Sequence, residues 1–469
     1  MAFKYAHKFS LAILLLPHLS IAQGPDTLTP EYHPKLPIYK CTKANGCLKQ
    51  DTSVVLDWNT RSIHTISTGE PCKTSIGVDR RICPNQLTCF KQCVVEGLDY
   101  YAYGVSTSGD ALQLSQFSQQ FQDAPSPRVY LLGADGNYVL FKLKAQEITF
   151  EVDVSQLPCG ENGALYLAEI MANGGKSTYT PGGANYGGAY CDAQCPHQDW
   201  KNGNLDAAGP SCCSEMDIFE ANSQAVAFTP HPCVGNSCDK SGCGFNPYAA
   251  GHPNYWGPGK TVDTTKPITV VTQFLTDDGS PNGELTTIRR KYVQNGQEIA
   301  SASVGGDIIQ KDQCPSGEEY GGLVTLGKSF QRGMVLVFSI WNDPVENMNW
   351  LDSGNNGPCD PSEGSPENIR INYPYAKVKF SKIRYGEIDS TLNNNLLTST
   401  TRISTTTMTK STTPGPATQT HWGQCGGIGF PGPTICEGPE ASSFRITTYH
   451  DKTPGVVAHV PNLSSVGPE

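Results

Sequence analysis

Between residues 129 and 385 strand-like segments follow one another without long helical periodicities, and this recurrence restricts the possible folds more than any other feature of the chain. Residues 129–132 and 137–143, joined by an Asp135-Gly136 turn, read as a β-hairpin. Residues 148–154 continue with period two. Further strands are expected over 165–171, 268–275, 286–293 before an Asn295-Gly296 turn, 333–340 and 378–385. Strands in direct succession pair antiparallel, and a region this long buries its apolar faces by laying one sheet on another. The expectation is an all-β sandwich forming one domain.

The 18 cysteines set the compartment. Residues 1–22 have a basic start (Lys4, Lys8), the apolar stretch Leu11-Ala12-Ile13-Leu14-Leu15-Leu16 and the small-residue exit Ser20-Ile21-Ala22, the pattern of a secretory signal peptide. That apolar run is too short to span a bilayer, and no later one is longer, so a secreted, extracellular chain is expected, with no membrane partner. Cysteines in such a chain are expected as disulfides. Sixteen lie between Cys41 and Cys359, and Cys425 and Cys436 stand apart, which agrees with two separately stapled regions. Cys191, Cys195, Cys212 and Cys213 have a spacing that metal ligands can also show, but an oxidising compartment favours two bridges. A net charge of -10 speaks against nucleic acid and anionic membranes and is compatible with a neutral polymer such as a polysaccharide.

From Ser390 the composition changes to Asn393-Asn394-Asn395, a Ser/Thr-dominated run over 398–413 and Pro414-Gly415-Pro416. Residues 390–420 read as a flexible, O-glycosylated linker with too little apolar content to fold. Beyond it lies the Gly/Cys segment His421-Trp422-Gly423-Gln424-Cys425-Gly426-Gly427-Ile428-Gly429-Phe430.

The chemistry points to the hexapeptide Glu215-Met216-Asp217-Ile218-Phe219-Glu220, which sets three carboxylates in apolar, strand-forming sequence. Crowded carboxylates repel, so at least one pKa should rise, leaving a proton donor beside an ionised group, as in a retaining glycosidase. On a regular strand Glu215 and Asp217 share a face while Glu220 points away. A β-bulge around Ile218-Phe219 would return Glu220 to that face. The backbone interval then becomes about 13 Å, which two Glu side chains leaning together can largely close toward the roughly 5 to 5.5 Å carboxyl separation of retaining enzymes. A solvated edge strand fits Met216, Ile218 and Phe219 poorly, and a calcium loop would want Gly and more oxygen ligands. No metal or cofactor is expected.

Over residues 334–341 parity separates Met334, Leu336, Phe338 and Ile340, the expected core face, from Val335, Val337, Ser339 and Trp341. By parity alone, Trp341 divides evenly between core packing and stacking on a sugar ring.

Several stretches together resemble the fungal family 7 cellulases, in particular the endoglucanases: Asp51-Thr52-Ser53-Val54-Val55-Leu56-Asp57, Leu157-Pro158-Cys159-Gly160-Glu161-Asn162-Gly163-Ala164-Leu165-Tyr166, Tyr190-Cys191-Asp192-Ala193-Gln194-Cys195-Pro196, the carboxylate run 212–222, Gly242-Cys243-Gly244-Phe245-Asn246-Pro247-Tyr248 and the block 333–353. The resemblance covers roughly residues 35–388. It implies a concanavalin-like β-sandwich (jelly roll) spanning 23–389, whose curved inner sheet lines an open cellulose-binding cleft. It also implies Glu215 as nucleophile, Glu220 as general acid/base and Asp217 as the residue that hydrogen-bonds and orients Glu215. His231 resembles a groove histidine on the leaving-group side; on its own a lone histidine is more often structural. Asn162, Tyr166, Tyr190, Asp192 and Gln194 resemble residues lining the glycone side, and Trp341 and Trp350 resemble sugar-stacking tryptophans.

The family's disulfide scheme implies Cys41–Cys47, Cys72–Cys93, Cys83–Cys89, Cys159–Cys359, Cys191–Cys213, Cys195–Cys212, Cys233–Cys238 and Cys243–Cys314. Three departures stand out. Thr60 and Ser62 replace aromatics usual after Asp57-Trp58-Asn59, which predicts weak distal glycone subsites. The core carries no Asn-x-Ser/Thr sequon, the one present being Asn462-Leu463-Ser464. The segment 421–469 begins like a cellulose-binding module but lacks that module's second cysteine pair and tyrosine-bearing strand, so it is expected neither to fold nor to bind.

The leading expectation is a monomeric, retaining endo-β-1,4-glucanase acting on a β-1,4-glucan. The nearest rival is a cellobiohydrolase, which encloses its chain under longer tethered loops; the short intervals 233–243 and 350–359 favour an open cleft. A non-catalytic, lectin-like sandwich is the rival from another class, and it has no use for a self-repelling acidic cluster.

Overall fold

The computed structural model describes residues 29–118, 126–313 and 319–392, together with the short strands 396–397, 418–419 and 435–436. The signal peptide and most of the linker and C-terminal segment lie outside the described residues. The chain divides into two compact units, Met1–Thr400 and Thr401–Glu469. In the second, Thr418–Gln419 pairs parallel with Ile435–Cys436.

The first unit is the expected sandwich of two large sheets. The inner sheet is built from β1 (Thr52–Leu56), β2 (Arg128–Gly133), β3 (Glu161–Ala168), β4 (Glu215–Ala221), β5 (Val226–His231) and β6 (Met334–Asn342), in spatial order β5-β4-β3-β6-β2-β1. The outer sheet centres on Leu285–Gln294, Ile268–Thr276, Gln146–Asp153 and Lys377–Glu387, neighbours in that order. Between them lies one continuous apolar core. Phe150 of the outer sheet meets Phe219 of β4 with ring centroids 5.6 Å apart, and Phe338 of β6 meets Phe380 at 5.5 Å, both edge-on or tilted contacts that favour aromatic packing. The parity expected for β6 holds: Met334, Leu336, Phe338 and Ile340 enter this core, while Val335 and Val337 join a second cluster with Tyr130, Tyr166 and Tyr190.

The sequence reading needs correction in three places. The 129–143 hairpin closes at its turn, where the Gly133 and Val139 amides donate to the Asn137 and Leu131 carbonyls at 2.8 and 3.0 Å, but its return arm then leaves β2, and Leu140 and Phe141 pair with Val335 and Met334 of β6. The strands are interrupted by a helix over Gly322–Arg332, whose Leu323, Leu326 and Phe330 recur with helical spacing and pack inward, Phe330 lying 4.7 Å from Phe274. Pairing is not wholly antiparallel either, since Ile38–Thr42 runs parallel to Lys377–Glu387 and ties the two ends of the domain together.

The packed unit also runs past residue 389. Ser390 and Thr391 are fully buried. Glu147 Oε1 accepts the Ser390 and Thr391 amides at 3.0 and 2.9 Å and the Thr391 hydroxyl at 2.6 Å, and Arg384 donates to the Thr391 carbonyl at 2.9 Å. Composition places the linker's start at Ser390, but a buried carboxyl group draws Ser390 and Thr391 into the fold, and beyond them Leu396–Leu397 pairs parallel with Cys47 and Leu48.

Seven of the eight implied disulfides are present: Cys41–Cys47, Cys72–Cys93, Cys83–Cys89, Cys159–Cys359, Cys191–Cys213, Cys195–Cys212 and Cys233–Cys238. Cys243 is also disulfide-bonded; Cys314, its expected partner, lies outside the described residues.

Candidate active site

β4 is buried along its whole length between β3 and β5, yet it carries Glu215, Asp217 and Glu220. The backbone explains how. Asp217 pairs with Thr229 and Glu220 with Ala227, so Ile218 and Phe219 together face one residue, Phe228. The same shift occurs on the other side, where Tyr166 pairs with Asp217 and Leu165 with Phe219. This is the bulge expected from the sequence. Met216, Ile218, Phe219 and Ala221 enter the core, and Glu215, Asp217 and Glu220 line a cleft of about 1190 Å³ on the opposite face.

Each carboxyl has its own partner. Glu215 Oε2 accepts the Ala193 amide at 3.1 Å. Glu220 Oε1 accepts the Asn162 side-chain amide at 2.9 Å, and Asn162 Oδ1 in turn accepts the Ala221 amide at 3.2 Å. Asp217 Oδ2 lies 3.0 Å from His231 Nε2. His231 Nδ1 sits 2.8 Å from the Asp239 carbonyl, and only a protonated Nδ1 can donate there. Nε2 is the ring nitrogen left to face Asp217. Gly242 makes this approach possible: at φ +66°, a Cβ there would come within 2.5 Å of the His231 ring.

Burial pushes all three carboxyl pKa values up. For Glu215 the charges of Asp217 and Asp192 add to burial, opposed by His231 and the Ala193 amide. For Asp217 the added charges are Glu220 and Asp192. For Glu220 burial is opposed by His231 and the Asn162 hydrogen bond. Three acids so placed hold protons that water would remove.

The other expected residues divide. Tyr166, Tyr190, Asp192, Gln194, His231, Trp341 and Trp350 line the cleft. Asn162 does not; it is fully buried and acts through Glu220. Tyr166 and Tyr190 join hydroxyls at 2.9 Å, and Tyr190 donates to Asp192 at 2.7 Å. Gln194 also braces a loop, donating to the Lys240 carbonyl at 2.8 Å. Trp341 and Trp350 stack with centroids 6.1 Å apart and planes 30° apart. Trp58 is buried against Trp200, leaving Asn59 and Thr60 on the wall. The sequence reading missed Arg128, which binds Asp57 at 3.0 Å and lies 3.4 Å over the Tyr190 ring, and it missed Asp343 and Glu346 on the wall beyond β6. The only available signal for Arg128 was a cation opening an apolar strand.

One carboxyl stands apart. Glu161 is fully buried at the start of β3, facing the core, with neither side-chain oxygen hydrogen-bonded, and burial alone raises its pKa. A raised folded pKa means that the folded state keeps a proton the unfolded chain loses above its ordinary carboxylate range, so stability falls as pH rises from there. Glu161→Gln should melt like the parent near pH 4. It should become progressively more stable by comparison toward neutrality, at about 1.4 kcal/mol per pH unit across that window. Parallel melting curves at every pH would show that Glu161 is solvated.

A two-sheet sandwich with a long groove over paired carboxylates defines a polysaccharide hydrolase. Comparison with known proteins gives the family: residues 25–392 match the model of glycosyl hydrolase family 7, and the chain belongs to it. Residues 421–440 match the fungal cellulose binding domain. Endoglucanase EG-1 of Hypocrea jecorina is 54% identical over 434 residues, covering 91% of this chain and 94% of that protein. The native endocellulase EGI of Humicola insolens superposes with a TM-score of 0.73 at 41% identity, over 78% of this chain and 99% of its own. A family 7 cellobiohydrolase from Daphnia pulex gives a TM-score of 0.72 at 35% identity, over 78% and 99%. The fold is thus common to both modes of attack, and sequence identity leans to the endo-acting relatives.

Proposed function

We propose that the chain hydrolyses β-1,4-glucosidic bonds within cellulose and related β-glucans, with retention of anomeric configuration. The observation that carries this reading is the bulge at Ile218–Phe219, which turns Glu220 onto the face that holds Glu215 and Asp217. Glu220, protonated through its burial, donates to the departing glycosidic oxygen while Glu215 attacks the anomeric carbon and forms a glycosyl ester. Water then enters, Glu220 takes its proton, and the ester opens.

Glu215 must be ionised to attack. The largest charge opposing that is Asp217, and a proton on Asp217, favoured by its burial and by the charges of Glu220 and Asp192, removes it. Asp217, set 3.0 Å from His231 Nε2, thereby helps to keep the nucleophile charged, with the Ala193 amide as the fixed donor to Glu215. Tyr166, Tyr190, Asp192 and Gln194 are assigned to the glycone side and the Trp341–Trp350 pair to sugar stacking. All the described residues that line the cleft belong to one chain, which suits a monomer, and the basic-apolar N-terminus suits export. The segment after the linker, with one cysteine pair, is read as an incomplete cellulose-binding module.

The deciding experiment follows a soluble, substituted cellulose by viscosity and reducing ends, and the anomeric protons by time-resolved NMR. Internal cutting drops viscosity early, and a retaining site releases β product first. Slow viscosity loss would favour attack from chain ends; initial α product would exclude the double displacement.

A further inference from the structure

On the core side of β4, opposite the cleft, lies a guanidinium that the reaction does not touch. Arg290, in the outer-sheet strand Leu285–Gln294, is 1% exposed. Its Nη2 donates to the backbone carbonyl of Ile218. Nε donates to Thr272 Oγ1 at 3.1 Å and Nη1 to the Tyr292 hydroxyl oxygen at 3.3 Å, both from the outer sheet. The guanidinium also lies 4.4 Å over the ring of Phe228.

The Ile218 and Phe228 contacts converge on one place. Ile218 belongs to the bulged pair, and Phe228 is the single residue opposite it. A bulge leaves a residue without a ladder partner, and a buried carbonyl needs a donor. Phe228 has none to give, because its own amide and carbonyl are exchanged with Phe245 at 3.2 and 3.0 Å. A cation in an apolar core is expensive unless its hydrogen bonds are met. A planar fork of donors can grip the outer sheet and still reach across to the bulge, which a lysine's single ammonium cannot reproduce.

We propose that Arg290 is a positioning residue for catalysis: it fixes the bulge at Ile218–Phe219 and so holds the register that aims Glu220 into the cleft beside Asp217. This rests on the reading of Glu220 as the general acid. Without the anchor, β4 can relax toward regular alternation, which swings Glu220 away while Glu215, on the near side of the bulge, stays in place.

The test uses aryl β-cellobiosides with poor (phenyl) and good (2,4-dinitrophenyl) leaving groups, with functional sites counted by a fluorosugar that traps the nucleophile. Only the poor leaving group needs the acid, so kcat/KM for the two substrates separates acid placement from loss of folded enzyme. Arg290→Lys and Arg290→Met should each lose about tenfold more on the phenyl than on the dinitrophenyl substrate, whereas a purely structural role lowers both equally. Equal losses, or none, overturn the proposal. If both variants fail to fold, Thr272→Val combined with Tyr292→Phe keeps Arg290 but removes two of its anchors. It should shift the ratio about threefold in the same direction, and an unchanged ratio is again fatal. Glu220→Gln in the same assay keeps the two readings apart. If it shows no leaving-group dependence, the acid assignment fails; if it does and the Arg290 series does not, only the anchor fails.

Discussion

Glu215→Gln and Glu220→Gln each lose about three orders of magnitude or more in turnover on glucan, with folding intact, but they lose it differently. Glu215→Gln forms no glycosyl ester with any substrate. Glu220→Gln retains much of its first-step rate when the leaving group needs no proton. The measurement is kcat on cellulose and on activated cellobiosides, with circular dichroism as the folding control. Both carboxyls are buried and raised in pKa mainly by that burial, so the neutral amides should also raise the melting temperature above the ordinary carboxylate range, where the unfolded parent releases protons that its folded state holds more tightly. Near-normal cellulose hydrolysis by either variant would remove the assignment. Asp217→Asn should fall between these variants and the parent, because it cancels the neighbouring charge but replaces the carboxyl oxygen that faces His231 Nε2.

Chain length should matter sharply at the end of the first unit. A protein ending at Leu392 keeps the full latch, loses only the two-residue pairing of Leu396–Leu397 with Cys47 and Leu48, and should nearly match the whole chain in melting temperature and in activity on soluble glucan. A protein ending at Asp389 loses Ser390 and Thr391 and leaves Glu147 Oε1, in a residue only 1% exposed, without those donors. Leaving that buried oxygen without its donors costs about 3 kcal/mol, which for a domain of this size lowers the melting temperature by about 4 °C. Scanning calorimetry of the two truncations decides it, and equal melting temperatures would show that the latch contributes nothing. A cut directly after Ser390 falls on the damaging side, since it still removes Thr391. Adsorption to microcrystalline cellulose should barely differ between the Leu392 truncation and the whole chain. A large loss of binding would show that the segment around Trp422 works as a module after all.

Much of this protein can be read along the chain because the decisive patterns are local. Alternation within single strands separated the two faces of β6, and the burial of Met334, Leu336, Phe338 and Ile340 against one core follows from that parity. The three carboxylates in β4 could be assigned a bulge from side-chain parity alone, since only one extra residue brings Glu220 to the face of Glu215. The even cysteine count pointed to disulfides, though their pairing came from family resemblance rather than spacing.

What remained illegible depends on residues far apart in sequence meeting in space. Asn162 reaches Glu220, Arg128 reaches Asp57, Glu147 captures residues more than 240 positions away, and Arg290 lies beneath Ile218. No periodicity marks such partners, because each is a polar side chain whose role is to satisfy a group that another element leaves buried. The helix at Gly322–Arg332 escaped for a related reason: its three apolar positions are too few to stand out until Phe274 covers them. The sequence by itself determined strands, faces and the acidic triad, since these follow from short-range sterics and hydrophobic alternation. Tertiary structure alone decided which proton each acid holds and which residues keep it in place, since desolvation and hydrogen bonding exist only once the sheets have closed.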